Sequence, residues 1–437
     1  MSQNIAILIL FILLLILIYQ MYFKKSPQEL FFLFSKKRQD QNPNIYVTFD
    51  EMNTVRPDRI YYPENLEEIQ NIIIDNPGQT IRASGNNYTF NNISLTNDII
   101  IRTNKLKKII SLDKEKQELT VESGCSIKDI CTYLEGEELA LDGIPENMLQ
   151  TIGDVCSTAA HGSNLDTGTM SDQIVNITVV LSNGHIRRVE FDDPEFPAYA
   201  TSLGSLGIIY SITLRCVENY FVHTERTTGS WENIKQNIID LLDDYALTQI
   251  SIQPVSLRTT ILLRKKILLK NKAEHIPSGA LEPYHKILPP TTLTGKYTKS
   301  EVAIPYERVV DAVDDVLKLC QSHKKAPEYE CNHEISIRFT GPDYNAWLSP
   351  TSGRTSAWIQ VIASIPLKDK AQKFIQDYED LLLYKYSGRP NWTTSKFINA
   401  YKIRLLYGIS IDYVRRVRER FDPTFTFTND FIASVFD

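Results

Sequence analysis

The chain has 437 residues, of which 43% are hydrophobic and 23% are charged, and its formal net charge is −6. These fractions exclude a disordered chain, and the length predicts two or three domains. The acidic balance gives no support for a nucleic-acid partner, and none is expected.

An apolar segment lies near the start of the chain. Residues 5–23 contain Gln20 as their only strongly polar side chain, and at 1.5 Å per residue they extend about 28 Å, nearly the thickness of a bilayer core. Lys24, Lys25 and the basic run 36–38 follow it. Because a basic start and a small-residue cleavage site are missing, we predict an uncleaved single-pass anchor, with the C-terminal part on the cytoplasmic side. The alternative is an apolar helix that packs on the globule.

A small α/β unit is predicted after a polar linker over residues 24–43. A helix is expected over 66–74, with Asn65 as its N-cap, and a second helix over 127–134. Short strands are expected over 99–102, 109–112 and 118–122. A further strand ends in the loop 82–90, which is rich in small and polar residues.

Residues 151–164, TIGDVCSTAAHGSN, are the richest run of small residues in the chain. Small side chains let the backbone approach a bulky anionic ligand, because nothing stands in the way. Strands predicted over 174–180 and 208–214 would hold this loop. The pattern therefore predicts a cofactor cradle, within which a structural, hydrogen-bonded role for His161 is favoured over a catalytic one.

The second half of the chain alternates strands with one-sided helices. Helices are predicted over 231–242, 306–320 and 371–383, and strands over 248–254, 259–263, 302–305, 335–339 and 357–365, with an irregular insertion over 265–299. This mixture predicts an α+β domain built on an antiparallel sheet.

Six cysteines are present, and none of them forms a C-x-x-C pair. Several lie in apolar patterns, as Cys216 does. We therefore expect buried free thiols, a reducing compartment and no metal site.

Five segments in order carry a resemblance to a known family. They are IRASGNNYTF at 81–90, TIGDVCSTAAHGSN at 151–164, EVAIPYERVVDAV at 301–313, SGRPNWTTSKF at 387–397 and VRRVRERFDPTFTFTNDF at 414–431. Together they make residues 44–437 resemble the sugar-lactone and alditol oxidases, whose FAD-binding domain is of the vanillyl-alcohol-oxidase type.

The resemblance implies a two-part fold and an FAD cofactor. The FAD-binding domain would span 44–218, an α+β cap would span 219–387, and residues 388–437 would complete the active site. The implied FAD contacts are Ser84, Gly85, Asn86, Asn87, Tyr88, Thr89, Thr151, Gly153, Asp154, Ser157, His161, Gly162 and Ile208.

The first loop departs from the family pattern at two positions. Many relatives attach FAD covalently through a histidine at the position of Tyr88, and a phenol cannot form that bond, so non-covalent FAD is expected. Asn87 stands where the family often has glycine. Asparagine tolerates a left-handed backbone, so the turn is expected to survive.

The implied active site departs further. Relatives place a Glu two residues before an Arg on one strand, whereas here Ser336 precedes Arg338. Glu334 lies two residues further back on the same face, about 7 Å away along the strand. The family's His and Lys near Trp392 are replaced by Asn391 and Thr394, with Lys396 close by in sequence. The expected catalytic residues are thus Arg338, Glu334, Ser336, Asn391 and Lys396.

These features predict a membrane-anchored, FAD-dependent oxidoreductase. It would oxidise an alcohol group of a sugar-derived lactone or polyol by hydride transfer to the flavin, with oxygen or another acceptor. The alternatives are another enzyme of the superfamily, such as a membrane-anchored sterol reductase, and a flavin-binding or flavin-less scaffold that has lost catalysis.

Overall fold

The computed structural model describes residues 45–268, 280–286, 297–324, 333–364 and 368–437. The predicted anchor (5–23) and linker (24–43) lie outside these residues. No helix within the described ranges is long and apolar enough to cross a membrane. Residues 47–437 form one compact unit, and the fold below is that of this unit.

The helices and strands confirm most of the elements expected from periodicity. The α-helices in the described part of the chain are α1 Leu66–Ile74, α2 Ile127–Gly136, α3 Ile152–Ser157, α4 Phe196–Ala200, α5 Trp231–Ile234, α6 Ile238–Asp244, α7 Val309–Lys324, α8 Lys368–Asp380, α9 Ala400–Tyr407, α10 Ile409–Phe421 and α11 Asp430–Phe436. The strands there are β1 Tyr46–Val47, β2 Thr54–Val55, β3 Arg59–Tyr61, β4 Ile81–Ser84, β5 Ile99–Arg102, β6 Ile109–Asp113, β7 Glu118–Glu122, β8 Leu139–Ala140, β9 Ile174–Val180, β10 Ile186–Glu190, β11 Ile208–Arg215, β12 Val217–Glu218, β13 Tyr220–Ser230, β14 Gln249–Ile252, β15 Arg258–Leu268, β16 Ala280–Pro283, β17 Tyr297–Pro305, β18 Ile335–Thr340, β19 Ser356–Ser364 and β20 Arg389–Pro390.

Two sheets form the first part of the fold. A parallel sheet has the strand order β3-β5-β4, and an antiparallel sheet has the order β10-β9-β11-β7-β6. The helix α1 begins as predicted, because the Asn65 side chain accepts a hydrogen bond from the Glu68 N–H at 2.9 Å. Its apolar face buries Ile69 and Ile73 against the parallel sheet. The predicted strands that flank the small-residue loop are β9 and β11, which pair directly.

A larger antiparallel sheet forms the second part, with the order β16-β13-β15-β14-β18-β19-β17-β20 among the described strands. One face is apolar, since Ile337 and Ile359 pack into a core shared with α7 and α8. The opposite face is polar, because the register sets Arg338 beside Gln249 and Trp358. Successive side chains of a strand point to opposite faces, so one sheet both closes a core and presents a polar surface.

The predicted helix over 231–242 is wrong as a single element. It is divided into α5 and α6, and Asn237 between them has φ −124°, outside the helical range. The Trp231 indole N–H donates to Asp314 Oδ1 of α7 at 2.6 Å, which fixes α5 against that helix. This tertiary hydrogen bond and the polar Asn237 explain why a continuous apolar periodicity in the sequence did not produce one continuous helix.

The predicted irregular insertion over 265–299 is wrong at both ends. Strand β15 continues to Leu268, which pairs with Tyr220, and β17 begins at Tyr297, which pairs with Ser364. These residues remain extended because their neighbours continue the hydrogen-bonded ladder, although the local pattern is weak.

Among the described residues, Cys125, Cys131, Cys156 and Cys216 are buried free thiols, and Cys320 is buried as well. This confirms the expectation of buried thiols for that part of the chain, and no group of metal-ligating side chains was found there.

The central strand β18 gives a stability prediction. Replacing the fully buried Ile337 by alanine should lower the free energy of unfolding by about 2–5 kcal/mol, because the side chain leaves a cavity. Urea unfolding of the full chain measures this loss. The matched variant Ile409→Ala removes the same atoms from a side chain that is 62% exposed, and should change the value by less than about 0.5 kcal/mol. Equal losses would contradict the assignment of Ile337 to the core.

Candidate active site

The two loops predicted to hold FAD lie against each other. The Gly85 N–H donates to Asp154 Oδ1 at 3.1 Å, and a Cβ at Gly85 would lie 2.0 Å from Thr151 Oγ1. Only glycine therefore fits this approach. Asn87 has φ 57°, which confirms that the turn survives in a left-handed conformation.

Several buried polar atoms around the loops have no hydrogen-bond partner among the described residues. They include Asn87 Oδ1 and Thr89 Oγ1 of the first loop and Ser123 Oγ, next to Gly153. A buried polar atom without a partner costs free energy, and a bound ligand is one way to satisfy it. The loops therefore fit a polar ligand such as FAD, whose sugar hydroxyls would donate to these oxygens and whose phosphates would accept from nearby backbone N–H groups.

Other predicted FAD contacts use their polar groups within the protein. The Ser157 hydroxyl donates to the Gly153 carbonyl at 2.7 Å, and the Gly162 N–H donates to the Gly143 carbonyl at 2.9 Å. Ile208 is fully buried at the start of β11. These residues shape the cradle by supporting its backbone.

A buried charged cluster lies on the polar face of the large sheet. Arg338 of β18 forms an ion pair with Glu301 of β17. The Glu301 Oε2 atom accepts a hydrogen bond from Asn391 Nδ2 at 2.7 Å and lies 3.2 Å from His161 Nε2. The main chain of Glu301 makes a further contact, since its N–H donates to Thr394 Oγ1 at 3.1 Å. The cluster thus joins the second loop, two strands and the C-terminal segment.

The protonation of this cluster follows from its contacts. Burial would raise the pKa of Glu301, but Arg338 and His161 hold it well below the ordinary value, so the side chain is a carboxylate. Burial lowers the pKa of His161, and the neighbouring Glu301 carboxylate opposes this shift only in part. The His161 ring stacks on Trp358 at 3.6 Å, and its Nδ1 lies 2.9 Å from the Gly162 carbonyl. Both ring nitrogens face acceptor oxygens, so whichever nitrogen carries a proton donates it within the cluster or to the Gly162 carbonyl.

Arg338 is the member of the cluster that reaches a cleft. Burial lowers the pKa of its guanidinium, but Glu301 and Glu146 raise it above the usual value, so Arg338 stays charged. This cleft has a volume of about 70 Å³. It is lined by Gly143, Ile144, Pro145, Glu146, Met148, Gly162, Ser163, Tyr220, Leu247, Gln249, Arg264, Tyr284, His285 and Arg338.

Glu146 is an accessible carboxylate in this cleft. Its side chain is 34% exposed, and Oε2 lies 3.8 Å from Arg338 Nη1. Gln249 Nε2 donates to its other oxygen at 2.6 Å, which orients the group. A charged guanidinium beside an accessible carboxylate can bind a hydroxyl group and accept its proton.

The predicted catalytic residues lie at different positions in the structure. Arg338 lines the cleft, and Asn391 lies behind it in the charged cluster. Ser336 shares the polar face and pairs in register with Gln360. Glu334 precedes β18, and the carboxylates that pair with Arg338 are Glu301 and Glu146.

Lys396 contacts a different part of the chain. Its Nζ lies 3.0 Å from Asp50 Oδ2 and donates to the Phe90 carbonyl. Lys396 therefore connects the C-terminal segment to the end of the first loop, a structural contact that its proximity to Trp392 in sequence did not indicate.

Sequence reasoning missed Glu301 and Glu146. A signal existed for Glu301, because an acidic residue inside the apolar strand sequence EVAIP needs a buried partner. Glu146 gave no signal, since it lies in a loop beside Pro145 where charged residues are common.

Two family models match the chain. The FAD binding domain model matches residues 57–190, and the D-arabinono-1,4-lactone oxidase model matches residues 212–435. L-gulonolactone oxidase of Mus musculus is 22% identical over 436 residues, which cover 87% of this chain and 95% of the relative. L-gulono-1,4-lactone dehydrogenase of Mycobacterium tuberculosis is 23% identical over 423 residues, with coverages of 87% and 96%.

Solved structures share the fold. A cholesterol oxidase from B. sterolicum has a TM-score of 0.77 at 15% identity, and covers 90% of this chain and 97% of its own. A xylooligosaccharide oxidase from Myceliophthora thermophila has a TM-score of 0.70 at 14% identity, with coverages of 89% and 93%. Together with the match to the FAD binding domain model, these likenesses confirm the FAD-binding fold of the vanillyl-alcohol-oxidase type.

The match to the FAD binding domain confirms FAD as the cofactor, in agreement with the cradle between the two loops. Because the D-arabinono-1,4-lactone oxidase model alone spans more than half of the chain, the protein belongs to that family of FAD-linked oxidoreductases.

Proposed function

We propose that this protein oxidises an alcohol group of a sugar-derived lactone or polyol, and that the cleft beside Arg338 is its catalytic site. The observation that carries the proposal is the charged Arg338 guanidinium next to the accessible Glu146 carboxylate. The names of the relatives, L-gulonolactone oxidase and D-arabinono-1,4-lactone oxidase, support this class of substrate.

Oxidation of an alcohol removes a hydroxyl proton and a hydride from the same carbinol group. Bound FAD supplies the hydride acceptor. Glu146 is placed to take the hydroxyl proton, because its carboxylate is exposed to the cleft and oriented by Gln249. Arg338 supplies a fixed positive charge, which stabilises the negative charge that develops in the cleft.

We further propose that FAD is bound without a covalent link. The first loop carries Tyr88 at the position where many relatives carry the linking histidine. The Tyr88 ring is 8% exposed and packs against Phe49, with ring centroids 5.4 Å apart. A buried phenol packed in this way supports a structural role in the cradle.

We propose that the apolar segment at residues 5–23 anchors the protein in a membrane and that the catalytic part lies on the cytoplasmic side. The basic residues after the segment support this orientation. The free, buried cysteines of the described residues are consistent with a reducing compartment. The electrons of the reduced flavin would pass to oxygen or another electron acceptor.

The substrate class is tested by flavin bleaching. The detergent-solubilised full chain should be yellow, and it should lose its visible flavin absorbance when L-gulono-1,4-lactone, D-arabinono-1,4-lactone or an alditol is added without oxygen. A protein that stays yellow with all three would contradict the proposed substrates. A protein that remains colourless after incubation with FAD would contradict the flavoenzyme assignment.

The base is tested by Glu146→Gln. The amide keeps the shape of the side chain but cannot accept the proton, so kcat/KM should fall by about 10²–10⁴-fold. The visible absorbance of the bound flavin should be unchanged. The control Glu232→Gln, whose side chain is 61% exposed on α5, should behave as the unaltered protein. Full activity of Glu146→Gln would exclude Glu146 as the base.

The non-covalent link is tested by acid precipitation. We expect all flavin in the supernatant, because no histidine occupies the first loop at residues 84–90. Absorbance of the supernatant and in-gel fluorescence of the pellet measure the distribution. Flavin that stays with the precipitated chain would contradict the prediction.

A further inference from the structure

The carboxylate of Asp154 lies where a phosphate of FAD would be expected. Asp154 Oδ1 accepts the Gly85 N–H at 3.1 Å, and the Asn86 N–H also lies within reach of the carboxylate. Successive backbone N–H groups in a turn of small residues are the donors with which proteins bind phosphate oxygens. In this chain an acidic side chain already takes these donors.

The surroundings of Asp154 show that the contact is built into the fold. The other carboxylate oxygen, Oδ2, lies 2.2 Å from the position that a Cβ on Gly85 would occupy, so only glycine lets the carboxylate come this close. Burial raises the pKa of Asp154, while the Thr151 hydroxyl, the two N–H groups and the charge of Arg102 oppose that shift.

A second observation places a ligand at the same loop. Asn87 Oδ1 and Thr89 Oγ1 are buried and have no partner among the residues that the structure describes. These oxygens follow Gly85 by two and four residues, and they could accept hydrogen bonds from hydroxyl or N–H groups of a bound molecule. The N–H groups of Gly85 and Asn86 are the anion-binding donors of the loop, and one acidic side chain occupies the anion position.

We propose that Asp154 competes with the FAD phosphates for the N–H groups of Gly85 and Asn86, and so weakens FAD binding. The inference rests on the proposed non-covalent binding of FAD in this cradle. When the cofactor binds, the Asp154 carboxylate must leave the two donors, and its negative charge then lies beside the phosphates. Bound FAD would therefore dissociate into the surrounding solution more readily than it would if the Asp154 carboxylate were absent.

The test measures affinity for three flavins. The full chain is depleted of flavin by dialysis, and the Kd values of FAD, FMN and riboflavin are measured from quenching of flavin fluorescence. Asp154→Asn keeps the shape and removes the charge, so FAD and FMN should bind about 10- to 100-fold more tightly. Riboflavin has no phosphate, and its Kd should change by less than about twofold.

Two further variants make the result specific. Asp154→Ala frees both N–H groups and should also tighten FAD binding. Asp166→Asn removes one negative charge from an exposed position near the second loop and should leave all three Kd values unchanged.

Weaker FAD binding by Asp154→Asn and Asp154→Ala would overturn the proposal and make Asp154 a ligand of FAD. Unchanged affinity would overturn it as well, and so would an equal gain for riboflavin. The outcome is separate from that of the bleaching experiment, since tighter FAD binding by Asp154→Asn would stand even if no lactone or alditol reduced the flavin.

Discussion

The ion pair between Glu301 and Arg338 is the interaction on which the candidate active site depends. Two charges buried in a protein lose hydration, and the cost is offset by close ion-pair geometry together with further hydrogen bonds to the charged groups. Here His161 comes from the second FAD loop and Asn391 from the C-terminal segment, and both contact the same carboxylate. The pair therefore fixes the cleft wall, the cradle and the last part of the chain relative to one another. Removal of Arg338 would leave the buried Glu301 carboxylate without this cation, and removal of Glu301 would leave Arg338 with the more distant Glu146 carboxylate.

The departures from the family pattern meet at this carboxylate. Ser336 stands where relatives have Glu, yet a carboxylate still faces Arg338, because Glu301 reaches it from β17. Asn391 and Thr394, which replace the family's His and Lys, contact Glu301 through a side chain and through the main chain. Asn391 and Thr394 are thus two neutral residues that hydrogen-bond to the same charged residue, Glu301.

Local patterns predicted the fold better than the site. The strand β9 and the helix α1 with its cap at Asn65 follow from a few neighbouring residues, so the sequence alone indicates them. The left-handed turn at Asn87 was indicated by the resemblance to a family that often has glycine at this position. The contact of Glu301 with Arg338 depends on the order of strands in a sheet, which joins residues far apart in the chain. The direction of Lys396 likewise depends on Asp50, more than three hundred residues earlier. Tertiary register, rather than residue type, decides which charged groups meet.

The buried cysteines have a consequence for durability. A flavoenzyme that reduces oxygen releases hydrogen peroxide within its own fold, and peroxide attacks thiolates far faster than thiols. Burial raises the pKa of Cys125, Cys131 and Cys216 to about 12, so at neutral pH nearly all of each remains the unreactive thiol. With oxygen as its acceptor, the enzyme could turn over repeatedly without oxidising the sulfur atoms of its own core.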